Sequence, residues 1–287
     1  MNDQTKGFLI TIIGVLFIVP DSLFIRLIEA DTLTIAFWRN SLSGIVMCIA
    51  YLMIGGLTPF KQAINAGKPA WLYMFFVGFT GILFVMAIQN TSVANTVFIL
   101  ASMPIFAAFF SWLALGERIS QRMIWTILFV IIGIGIIASG SGHNENAHIF
   151  GDIIALIAAA NFAIALTAAR RAKSVSLVPL AAIAYIISGI AVIPFTDIFD
   201  FPAHQWWIIG LHGAVFTAIS MAFLTLGPRY ITSAEVSLLI LLESVLAPLL
   251  VWFVIGEDPG VWTLIGGAII ISVLFISNII VLMRKKP

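Results

Sequence analysis

Ten runs of mostly apolar residues, each about the 20 residues that a helix needs to cross a hydrocarbon core, constrain this chain before any motif is considered. They fall near 7–28, 33–54, 71–89, 93–115 and 122–139, and again near 151–169, 177–196, 204–226, 233–255 and 260–282. The runs are continuously apolar rather than alternating over about ten residues, so they read as helices and not as barrel strands. At 61% hydrophobic, 9% charged and a mean hydropathy of +1.13, the chain lacks the roughly one-quarter charged residues that coat a soluble domain. The expected fold is an all-α polytopic membrane protein with ten transmembrane helices in a lipid bilayer. A net charge of +1 offers no purchase for nucleic acid, and the single Cys48 lies in an apolar run and closes no intrachain disulfide. The start, MNDQTKG, meets apolar sequence without a small-residue cleavage site, so the first span is expected to be retained.

Basic residues set orientation, because cytoplasmic loops carry the Lys and Arg excess. Lys6, Lys61, Lys68, Arg118, Arg170, Arg171 and the terminal Arg284 to Lys286 gather at helix ends on the N-terminal side, whereas only Arg26 falls on the other. Glu29, Asp31, Asp197, Asp200, Glu257 and Asp258 mark the opposite loops. The expected placement is a bacterial inner membrane with both termini cytoplasmic.

The chain also repeats itself. Trp112, Gly116 and Glu117 recur as Trp252, Gly256 and Glu257; Trp71, Gly78, Met86 and Ala87 recur as Trp206, Gly213, Met221 and Ala222; Trp125 and Thr126 recur as Trp262 and Thr263. Three clusters in the same order indicate duplication of a five-helix unit, 7–139 and 151–282. Five is odd, so the second copy must insert upside down, giving inverted repeats with a site near the bilayer midplane. Glu117 is followed by Arg118 and Arg122, and Glu257 by Asp258 and Pro259 with no basic residue near it in the chain, as a loop that changed sides would show.

With these residues in place, the chain resembles the EamA repeats of the drug/metabolite transporter superfamily over nearly its whole length. The resemblance is carried by Trp-x-x-x-Gly-Glu in each unit, by IAFWR at Ile35 to Arg39, similar to that family's Phe-x-Arg signature, and by ASMPIFAAFFSWLALGE at 101 to 117. The second unit, LLESVLAPLLVWFVIGE at 241 to 257, departs from the first: Ser244 aligns with Pro104, Glu243 with Met103, and the proline moves to 248. The resemblance extends to YddG-type amino-acid exporters. It implies a ten-helix secondary transporter, commonly an exporter of amino acids or related metabolites, without an ATPase subunit. The inverted repeats support alternating access, and with no Walker A sequence and no serine nucleophile elbow neither catalysis nor a cofactor or metal is expected.

Ionisable side chains at membrane depth cost at least about 2.5 kcal/mol each near a helix centre, which makes each a functional candidate. Asp21 and Arg39 both lie about 10 Å below the outer helix ends and are placed to pair, with Pro20 bending the first helix. The pair reads as a structural lock between helices 1 and 2, ahead of a site where Arg39 binds an anionic group. Glu243 sits near the middle of helix 9 with no basic residue at its depth. Desolvation favours its neutral form, so it is expected to couple protons or to anchor a substrate ammonium, against a permanently protonated structural role. Paired with Arg39 across one cavity, it would complement a zwitterion.

Pro104 and Pro248, in repeat-related helices, are candidates for hinges or cavity-lining breaks and also for simple packing kinks. Asn161, Tyr185, Ser188 and His212 fall at membrane depth, where they hydrogen-bond either a substrate or a neighbouring helix. Trp38, Phe79 and Phe98 are candidate cavity aromatics, although lipid-facing or core positions are the default for Phe. The remaining Trp residues suit an interfacial belt. Gly133 with Gly135, and Gly266 with Gly267, read as scaffold contacts or a homodimer contact. The outer loop HNENAH, with His143, Glu145 and His148, has looser spacing than a zinc motif and reads as a polar loop. Thr232 and Glu235 fit a capping box, and Asp152 fits a positive helix terminus. Competing readings are import of a vitamin or nucleoside-like metabolite, an intramembrane enzyme and a passive channel.

Overall fold

The computed structural model describes residues 3–115, 121–141, 148–172, 174–231 and 233–284. Every regular element among them is helical. Six spans are long and apolar enough to cross a membrane, and four shorter apolar helices accompany them. In a bilayer each backbone polar group has to be satisfied within the protein, which helices do locally.

The first span is split at Pro20 into α1 (Asp3–Ile18) and α2 (Asp21–Leu27). Span two is α3 (Thr32–Gly55), begun by the Asp31 side chain accepting from the Leu33 N–H at 2.9 Å and ended by Gly56 at φ 57°. A short helix absent from the hydropathy reading, α4 (Thr58–Ile64), precedes α5 (Lys68–Asn90), which carries proline in its first turn. Span four is interrupted at Ala101 and Ser102, leaving α6 (Val93–Leu100) and α7 (Met103–Leu115). After α8 (Gln121–Ser141), the second unit comprises α9 (Ile149–Arg171), α10 (Val178–Val192) and a composite eighth span. That span runs through α11 (Trp206–Gly210), a π-helical turn (Leu211–Thr217) and α12 (Ala218–Leu226). Helices α13 (Ser233–Ile255) and α14 (Val261–Arg284) complete the chain.

The main packing partners cross from one unit to the other: α1 on α12, α5 on α9, α3 on α10, α6 on α13 and α8 on α14. Exchanging spans one to five with six to ten maps this set onto itself, the signature of two repeats related by a pseudo-two-fold axis. Glycines enforce it. A Cβ on Gly78 would stand 2.8 Å from the Ala184 carbonyl oxygen of α10, and one on its repeat partner Gly213 would stand 3.0 Å from the Trp38 carbonyl oxygen of α3. Gly133 and Gly266 face one another, each lacking the side chain that would strike the other's carbonyl. The close approach foreseen for those two is therefore an internal α8 to α14 seam. With ten spans, the start of α1 and the end of α14 fall on one face, called proximal below; the turn at 91–92 and the α13 to α14 loop fall on the other, distal face.

Candidate functional site

The two units enclose a cavity of about 80 Å³. Its wall is mostly apolar, with Ile18, Phe84, Leu100, Met103, Phe162 and Leu224 among the lining residues, and both units contribute to it. Its polar members are Asp21, Arg39, Thr80, Tyr185, Glu243 and Ser244.

Asp21 and Arg39 neutralise each other. Arg39 Nη2 donates to Asp21 Oδ2 at 2.6 Å and Nε to Oδ1 at 3.0 Å, while Nη1 donates to Asn40 Oδ1 at 3.1 Å. The guanidinium also lies over the Phe84 ring, 5.3 Å from its centroid. Asp21 is fully buried and Arg39 is 2% exposed, and burial without such pairing would be costly for either. His212 Nε2 lies 2.7 Å from Asp21 Oδ1, and the Thr217 hydroxyl donates to the same oxygen at 2.9 Å. The π turn makes this possible: Thr217 also donates to the His212 carbonyl five residues back, and both side chains reach one carboxylate. Phe24 stacks on the His212 ring. His212 is thus part of the lock around Asp21 and stands outside the main cavity.

Glu243 reaches the cavity from α13 and is half-buried; contrary to the expectation that no basic residue shares its depth, Arg39 lines the same cavity, although among the described residues nothing hydrogen-bonds the Glu243 carboxyl. Tyr185, 2% exposed, borders the same space, and its hydroxyl likewise has no hydrogen-bond partner among the described residues. Ser244 donates to the Val97 carbonyl at 3.2 Å and ties α13 to α6.

Several expected site residues lie elsewhere. Asn161 clamps α9 to α5 by donating to the Phe76 carbonyl and the Thr80 hydroxyl, both at 2.6 Å. Ser188 accepts from Asn40 at 3.1 Å. Trp38 misses the main cavity because its Nε1 donates to the Ile198 carbonyl at 2.6 Å and its ring packs on Trp206 and Phe201, pinning a distal loop. Phe79 is 44% exposed and stacks with Phe75 on the outer surface. Phe98 is buried in the core where Gly267 leaves room for its ring.

The two prolines behave differently. Pro104 occupies the first turn of α7, directly after the interruption, where a missing N–H costs nothing. Pro248 lies inside an uninterrupted α13. The residues of α13 that align with the break, Leu241 and Leu242, and Ser244, which aligns with Pro104, all lie within the continuous helix, so the interruption of span four has no counterpart in span nine.

His148 is exposed and precedes α9, while His143 and Glu145 lie outside the described residues, as do Gly116, Glu117 and Thr232. Among the described residues no group of three His, Cys, Asp or Glu could hold a metal. Asp152 stands in the first turn of α9 and accepts from Thr91 at 2.7 Å and Asn95 at 3.0 Å, a structural placement at a positive helix end.

Sequence reasoning missed Thr217 and the partner of Glu257. Arg26 Nε lies 2.9 Å from Glu257 Oε2, and Glu257 Oε1 accepts from the Val93 N–H at 2.7 Å. The two residues are 231 positions apart, and only tertiary structure joins them.

Comparison with known proteins agrees with this architecture. A protein of Archaeoglobus fulgidus described as an uncharacterized transporter is 25% identical over 266 residues, covering 89% of this chain and 90% of its own. A crystal structure 16% identical in sequence superposes with a TM-score of 0.68 over 99% of this chain and 100% of its own, which establishes a shared fold. The pattern of the EamA-like transporter family matches twice, at residues 5–139 and 149–279. The chain, a multi-pass membrane protein built from two such repeats, belongs to the EamA-like transporter family.

Proposed function

We propose that the protein is a secondary transporter that carries a small amine-bearing metabolite, an amino acid or a related solute, through the cavity between its repeats by alternating access. The observation that carries this reading is Glu243: an acidic side chain in an otherwise mostly apolar cavity, with no partner among the described residues. A group of this kind either binds an ammonium or takes up a proton, and in a transport cycle it alternates between the two. Arg39 is engaged by Asp21 on both oxygens, so the substrate is held first by its amine and its apolar body. The arrangement of Lys and Arg supports a bacterial inner-membrane placement with both termini cytoplasmic, and export rests on the resemblance to YddG-type amino-acid exporters.

The test is flux in liposomes of a labelled amino-acid and amine panel, with and without a pH gradient, for the wild type and Glu243→Gln. Saturable uptake that follows the gradient in the wild type and loses that dependence in the variant is the expected result. If no amine moves in either protein, the substrate assignment fails, and vitamin or nucleoside-like solutes are the next panel.

A further inference from the structure

Four wall elements of the cavity converge on one ion pair. Arg26 stands in the last turn of α2, five residues or about 7.5 Å beyond cavity-lining Asp21. Besides Glu257, it donates to the Thr91 carbonyl at 2.8 Å, seven residues past cavity-lining Phe84 at the end of α5. Glu257, on the loop after α13, holds the N–H of Val93, four residues before cavity-lining Val97 in α6. The pair therefore ties α2, α5, α6 and α13 together at the distal face, and its side chains are 17% and 8% exposed. Around it lies an apolar layer: Ile25, Ile28, Ile88, Val93 and Val251 are each at most 5% exposed and pack in one cluster with Phe84.

We infer that Arg26 and Glu257 form the latch of the distal gate, closing the cavity on that side during the transport cycle. The inference rests on the alternating-access reading but not on the identity of the solute. These four elements also pack on one another and are tied by Ser244 to the Val97 carbonyl, and the charge pair beside this apolar plug adds a contact that water can replace when it breaks. Broken, it leaves a carboxylate and a guanidinium that water stabilises, so the open state gains hydration where the closed state loses its tie. Reforming it re-buries the plug. The Arg26 arm on the Thr91 carbonyl and the Glu257 arm on the Val93 N–H make the latch act on backbone at the α5 to α6 corner, so closing one pair repositions two helices that line the site.

Accessibility measures this without any transported solute. In a Cys48→Ser background, Ser244→Cys places a single thiol in the cavity wall, and a charged, membrane-impermeant methanethiosulfonate is added to the distal face of sealed vesicles. The latch predicts at least tenfold faster labelling in Glu257→Gln and in Arg26→Gln, and a return towards the parent rate in the exchanged pair Arg26→Glu/Glu257→Arg. Arg26→Lys, which keeps the charge but cannot fork between Glu257 and Thr91, should label at an intermediate rate and guards against failure of the neutral variants to fold. Labelling at the parent rate in all folded single variants would overturn the latch. Failure of solute flux with latch-dependent labelling intact would instead count against the substrate proposal alone.

Discussion

Replacing Asp21 with Asn tests whether the charge pair beside the cavity is structural. Asp21 receives Arg39 on both oxygens, with His212 and Thr217 also on Oδ1. The amide preserves shape and one acceptor but removes the charge, leaving Arg39, 2% exposed, without its counter-ion. Breaking a buried pair from one side costs about 3 to 5 kcal/mol. Unfolding entropy near 2.1 cal/mol/K per residue amounts to about 0.6 kcal/mol/K for a chain of 287 residues. The melting temperature in detergent should therefore fall by about 5 to 8 °C, read from intrinsic fluorescence of the eight Trp residues. Asp21→Asn/Arg39→Gln removes the stranded charge as well and should recover more than half of the loss. If the double variant instead falls by the sum of the single effects, with a coupling below about 0.5 kcal/mol, the two residues act independently and the lock does not exist.

Gly133→Leu should abolish the α8 to α14 seam and yield aggregated protein on size-exclusion chromatography, because its Cβ alone would stand 2.9 Å from the Gly266 carbonyl oxygen. Gly135→Ala, with nothing within 4 Å of the added methyl, should leave the elution profile and melting temperature unchanged. Trp38→Phe loses the bond to the Ile198 carbonyl and should lower stability by about 1 kcal/mol, with faster hydrogen exchange confined to the loop at 196–201. Tyr185→Phe should leave the melting temperature within 1 °C while raising the KM for an amine substrate several-fold, since the hydroxyl serves no described partner in the protein.

The ten spans were legible because crossing a bilayer is a demand on length and hydropathy, and both are read residue by residue. The pairing of Asp21 with Arg39 was legible for a related reason: matched depth on adjacent helices leaves little other choice. The π turn was not legible. Nothing local in LHGAVFT calls for a wide turn; what goes with it is a contact far away in sequence, the Asp21 carboxylate that meets both His212 and Thr217. The short helix α4 escaped because it crosses nothing, and Glu257 read as lacking a cation because Arg26 is near it only in space. Phe79 and Phe98 took the default positions for Phe, outer surface and core, rather than the cavity. Aromatic character alone does not separate these places: Phe79 stacks on Phe75 at the outer surface, and Phe98 fills a slot left by Gly267.

The duplicated units agree where packing alone decides and differ where the cavity lies. Gly78 and Gly213 remain glycine because each must admit a neighbouring backbone, a requirement that the pseudo-two-fold axis copies from one unit to the other. At the positions aligned with Met103 and Pro104, the second unit carries Glu243 and Ser244, and the consequences diverge. One helix starts afresh after an interruption, and its counterpart runs on with a carboxyl facing the cavity. A site on a perfect two-fold axis would present each group twice, and two facing carboxyls would repel or share a proton. With Met103 in one unit and Glu243 in the other, the cavity holds one carboxyl that is not taken up by the Asp21–Arg39 pair, and the two halves of its wall differ in polarity. Because Asp21 and Arg39 are engaged with each other and Glu243 is not held by a described partner, a single substitution at Glu243 should uncouple flux from the proton gradient while both halves of the scaffold stay intact.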